Sequence, residues 1–153
     1  MNEYLKSNIN IAKIHEKRLK YAINKLKHKF PISGEQIKQL TDEEIETFEL
    51  FTNRFAKLQD FLGAKLYPLF LELSGEDPKK MTFIDIINRL EQLGIIESAI
   101  EWKLIRNARN HISHEYPEHP ELLATHINTA YEFSPKLINY FNKIIAACEK
   151  LKL

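Results

Sequence analysis

The apolar residues of this chain recur three and four apart, and that spacing constrains its fold more than any other feature. Leu5, Ile9, Ala12, Leu19, Ile23, Leu26 and Phe30 follow it, with Glu16 standing at the missing step. Ile45, Phe48, Thr52, Phe55, Leu62, Leu66 and Leu69 repeat it. Such a period puts one apolar stripe on a helix, whereas a half-buried strand needs strict alternation, which the sequence lacks. Only four glycines interrupt 153 residues. The expected fold is all-α, an antiparallel up-and-down bundle of about five helices in one domain spanning 1–153.

Punctuation residues divide the chain. The first helix should end near Lys29, because Pro31 follows and restricts the residue before it. Thr41 and Glu44 form a capping box for a second long helix, which should end near Ser74-Gly75 and be kinked by Pro68, since proline removes a donor and crowds the Ala64 carbonyl. Thr82 with Asp85 opens a short helix that Gly94 closes. Ser98 with Glu101 opens a fourth, whose outer limit is marked by Pro117 and Pro120. A last helix should run from about Glu121 to Lys150. Within it Ser134-Pro135 either restarts the helix as cap and first-turn proline or only kinks it.

Composition narrows the function classes. A net charge of +1 gives no overall field toward nucleic acid or membrane, so any anion site must be local. Cys148 is the only cysteine, which excludes an internal disulfide and fits a cytoplasmic location. No apolar run is long enough to span a bilayer, and the N-terminal MNEYLKSNIN has no apolar signal segment. No Gly-rich phosphate loop occurs, and His15, His28, His119 and His126 lack metal-site spacing. No metal or other cofactor is expected.

The stretch RNARNHISHEY, residues 106–116, carries the chemistry. It holds two overlapping frames, Arg106-Asn107 with His111 and Arg109-Asn110 with His114. A histidine can exchange protons with a ribose hydroxyl or leaving oxygen near neutral pH. An arginine fork can hold the phosphate and the charge it gains in the transition state. Phosphodiester cleavage without metal is within reach of that set. Spacing alone does not separate this from an ordinary cationic helix end, which the macrodipole favours anyway.

The context separates them. LIRNARNHISHEYPE, preceded by FIDIINRLEQLGIIES and Trp102, resembles the HEPN superfamily, and within it the HepT-like ribonuclease toxins. Their signature is R-x4-H-x-Y, usually with asparagine after the arginine. Arg109, Asn110, His114 and Tyr116 match each named position. In the other frame Ser113 stands where the tyrosine should be, so Arg106 and His111 are secondary candidates. The resemblance covers roughly residues 80–118. It implies a homodimer whose two motifs share one cleft, metal-independent cleavage of RNA, and an MNT-type nucleotidyltransferase antitoxin as partner. It also implies that Tyr116 can receive AMP from that transferase. The alternative it allows is a non-catalytic HEPN subunit that binds substrate or docks the transferase.

Other residues have plainer readings. Glu16 and Arg54 interrupt apolar patterns and are polar lining, a buried pair, or the edge of the stripe. Trp102 and Phe83 are expected in the core rather than as stacking platforms. The KLKHK run at 25–29 reads as a solvated helix terminus before a nucleic-acid contact.

Overall fold

In a computed structural model that describes residues 1–113 and 118–153, every regular element among those residues is helical. The order is α1 (Glu3–Leu26), α2 (Gly34–Lys38), α3 (Asp42–Phe61), α4 (Tyr67–Leu73), α5 (Phe83–Gln92), α6 (Ala99–Ile112) and α7 (Pro120–Lys150). No helix among them is long and apolar enough to cross a membrane.

The helices begin where side chains can absorb their free amides. Thr41 and Glu44 exchange reciprocal hydrogen bonds at the start of α3, and Thr82 and Asp85 do so for α5. Ser98 accepts from the Glu101 amide, but the Glu101 carboxylate turns to Tyr140 and Lys136 instead of completing the box. Gly94 ends the α5 turn at φ +73°, a conformation that penalises any residue with a Cβ. After α1, residues Lys27–Lys29 tighten into one 3-10 turn, so the first helical run does stop at Lys29.

The two proline questions have different answers. The Pro68 distortion appears upstream as a π turn over Leu62–Leu66, in which the Tyr67 amide donates to the Leu62 carbonyl. Proline cannot donate to Ala64, and the wider turn accommodates the lost bond between α3 and α4. In α7 the helix continues through Pro135 without a break. Ser134 is buried and donates its hydroxyl to the Ala130 carbonyl, so it is no N-cap and the helix does not restart there.

One element was not expected. Ser33 and Gln36 form a capping box that starts the short α2, in a stretch too brief for periodicity to register. Long-range contacts anchor it. Asn128 on α7 accepts from the Ile32 amide and donates to the Ile32 carbonyl, both at 2.8 Å. Phe30 stacks on Tyr131 with ring centres 3.9 Å apart. A Cβ on Gly34 would collide with Glu121, whose carboxylate accepts the Gly34 amide.

The core joins α1, α3, α4, α6 and α7. Phe51, Phe55, Tyr67, Trp102 and Phe141 are fully buried. Trp102 is a core residue as expected, with Tyr67 and Tyr140 meeting its ring edge-on at 5.0 and 5.5 Å between centres. The missing step in the α1 stripe is filled by His15, which is buried, while Glu16 beside it is half-buried. Arg54 is also half-buried, and its guanidinium nitrogen Nη1 lies 2.8 Å from His15 Nδ1. Glu16 and Arg54 thus sit at the edge of the stripe, and the partner of Arg54 is the histidine.

Candidate functional site

The C-terminal half of α6 turns Ala108 and Ile112 inward, and that fixes the direction of everything between them. Arg109 lies on the side facing α3. Its Nε and Nη2 donate to the two carboxylate oxygens of Asp60, each at 2.8 Å, and its Nη1 donates to Ser113 Oγ at 2.7 Å. This two-point geometry fixes the plane of the guanidinium as well as its position. The Asp60 hydrogen bonds, outweighing partial burial, raise the basicity of Arg109 further. Both partners remain partly in water, so the pair contributes about 1 kcal/mol to stability. Orientation is its larger effect.

Arg106, one turn earlier, is placed differently. It is exposed, and its guanidinium carbon lies 3.9 Å from the centre of the Phe83 ring. Phe83 is therefore only half in the core, with one face given to a cation. No carboxylate among the described residues pairs with Arg106. Asn110 is exposed. His111 is exposed too and stacks on the half-buried His126 of α7, with ring centres 4.3 Å apart and 20° between planes.

α6 ends at Ile112, with Ser113 as its C-cap. That is short of the outer limit marked by Pro117, which lies outside the described residues together with His114 and Tyr116. Of the expected set, the structure therefore places Arg109, Asn110, Arg106 and His111. It separates the two arginines into different surroundings.

Arg109, Ser113 and Asp60 stand at the edge of a groove of about 1160 Å³ between α2, α3, α6 and α7. Its floor is apolar, with Phe48, Ile112 and Ile127, and its rim is charged, with Glu46, Glu49 and Lys57. Ile45 and Thr52, expected in the buried stripe of α3, line this groove instead. Such a lining can take an apolar or aromatic group while the rim orients an ionic one.

Asp60 is the residue that sequence reasoning missed. A signal existed: it is the only acidic residue between Glu49 and Glu72, set among Arg54, Lys57 and Lys65. A lone carboxylate in a basic helical stretch suggests a fixed cationic partner. Only the packing of α3 on α6 says which one. Comparison of the chain with protein-family models, with curated proteins and with solved structures returns no match.

Proposed function

We propose that this protein is a HEPN-type ribonuclease toxin that cuts RNA without metal. The observation that carries the reading is Arg109, the arginine of the R-N-x3-H-x-Y motif. A carboxylate fixes it at the mouth of a groove, in the last turn of α6. His114 acts as general acid or base, Arg109 binds the phosphate and its transition-state charge, and Asn110 orients the substrate. The side-on pairing with Asp60 consumes Nε and one hydrogen of Nη2, and the guanidinium has donors left for a phosphate. Asp60 is a positioning residue in this scheme. The bundle would be the antiparallel HEPN arrangement, and the cytoplasm its compartment.

The active form is a homodimer. Transphosphorylation wants a base and an acid at opposite oxygens, and a two-fold axis supplies two histidines from one sequence. The outward face of α6 favours this. Ile100 is 73% exposed and Leu104 is 49% exposed, in line with Asn107 and His111 at i+7 and i+11. Water-exposed apolar residues next to the motif suit burial against a second copy. The partner that controls the toxin is an MNT-type nucleotidyltransferase, and Tyr116 is the acceptor of its AMP. A phosphate added beside Arg109 would compete for the guanidinium.

A second reading rests on the same ion pair. An arginine already neutralised by Asp60 also suits a HEPN subunit that binds substrate or docks the transferase without cutting. Incubating purified protein with RNA in the presence of EDTA separates the two. Cleavage that persists in EDTA and disappears in His114→Ala supports the toxin. RNA left intact by the wild-type dimer, with or without metal, overturns it.

A further inference from the structure

The outer face of α1 is unused by the fold and by the site above. Its positions 4, 7, 11, 14, 18 and 21 follow the alternating three-four spacing of a coiled-coil seam, and all six are exposed. Four of them are large apolar or aromatic residues. Tyr4 is 61% exposed, Ile11 40%, Ile14 54% and Tyr21 50%. Ser7 and Arg18 interrupt the seam. The core-facing side of the same helix is separately buried through Leu5, Ala12, His15, Leu19 and Ala22, so α1 has two apolar stripes and only one is covered.

Charge defines what could cover the other. The first 29 residues hold eight Lys and Arg against two Glu, a net of +6, while the remaining 124 residues carry −5. Lys6, Lys13, Lys17 and Lys20 all lie on one flank of the seam, and the other flank turns into the core through Asn8, His15 and Ala22. Among the described residues none of Lys6, Lys13, Lys17 and Arg18 has an ion-pair partner.

We propose that this stripe docks one amphipathic helix of a partner protein, apolar at the seam and acidic at the positions beside it. The stripe extends about 26 Å from Tyr4 to Tyr21, the length of a helix of about five turns. It is one seam wide, narrower than the broad apolar face that a helix lying in a lipid surface presents. Aliphatic Ile11 and Ile14 at its centre suit leucine-type knobs, whereas nucleic-acid bases stack on aromatic faces. A second copy of α1 is disfavoured, because two such helices would bring like charges together.

The test uses a synthetic three-heptad peptide with leucine at the seam and glutamate beside it, and a twin with lysine in place of glutamate. Fluorescence anisotropy with the full chain should give saturable binding of the acidic peptide in the micromolar range. Binding should weaken at least tenfold in the double variant Ile11→Ser/Ile14→Ser and again at high salt, with the lysine twin not bound. All altered side chains are water-exposed, and an unchanged circular-dichroism melting curve verifies that the variant is folded. The proposal is overturned if the acidic peptide does not bind, or binds the double variant equally well. It is also overturned if the peptide fails while an oligouridine or phosphatidylglycerol vesicles bind in an Ile11- and Ile14-dependent way.

Discussion

Arg106 and Arg109 differ by three positions on one helix and have little else in common. Arg106 sits over the Phe83 ring, exposed, with its charge answered by a ring face. Arg109 is gripped at two nitrogens by Asp60 and at the third by Ser113. A cation on a ring keeps rotational freedom about the contact and all its donors, whereas a bidentate pair fixes the plane of the fork. A phosphate clamp must be oriented before the substrate arrives, since misplacement is costly in the transition state. The tyrosine-bearing frame therefore has the arginine whose direction the fold has already set, and the other frame has an exposed cation held only by a ring face.

The strongest way to break this contrast is to remove each arginine in turn. Under the proposed reaction, Arg109→Ala and His114→Ala each lower RNA cleavage about a hundredfold or more, while Arg106→Ala and His111→Ala keep it within about threefold. Initial rates on a labelled RNA measure this. Equal losses from the two arginines would erase the distinction.

A gentler change reaches Arg109 through its anchor. Asp60→Asn keeps the size of the side chain and removes its charge, so the fork loses its grip but remains a cation. We expect kcat to fall about tenfold with KM nearly constant, and Asp60→Glu to recover part of the loss. A variant that melts early but turns over normally would make Asp60 structural only.

Phe83→Leu addresses the other arginine. It removes the ring under Arg106 and should cost about 0.5–1 kcal/mol of stability, read by chemical denaturation, with cleavage unaffected. A loss of activity here would make Arg106 part of the site.

The smallest effect concerns a third arginine, Arg54, anchored by an imidazole instead of a carboxylate. Burial first, then the charges of Arg54 and Lys57, lower the pKa of His15 below its ordinary 6.5. The unfolded chain then binds a proton more readily than the folded one, so stability should fall as pH drops below about 6.5 and be independent of this group above it. The half-buried Glu16, next along the chain on α1, pairs with Lys20 at 3.7 Å. Melting temperatures at pH 7.5 and 5.5 should differ less in His15→Gln than in the wild type. An identical difference in both would remove His15 from the acid response.

The legible parts of this molecule were those set by neighbours in sequence. Apolar spacing revealed α1 and α3, because a helix stripe depends on residues three and four apart. Caps at Thr41 and Thr82 and the glycine at 94 were readable because their bonds close within a few residues. The motif frame was readable too, since Tyr116 follows His114 by two. By contrast, α2 is fixed by Asn128, nearly a hundred residues away, and by stacking on Tyr131. The fate of Pro135 also depended on packing: Ser134 is buried within the bundle, where continuing the helix keeps its stripe in the core. His15 and Asp60 show the same division most plainly. Each is an unremarkable polar residue in its own helix, and each gained a role only when α3 was laid between α1 and α6. Sequence by itself determined that the chain is helical, where most helices start, and which frame carries the tyrosine. Tertiary structure alone decided which arginine is held and by what, because a hydrogen bond of 2.8 Å between residues 49 apart reports on packing that no local pattern encodes.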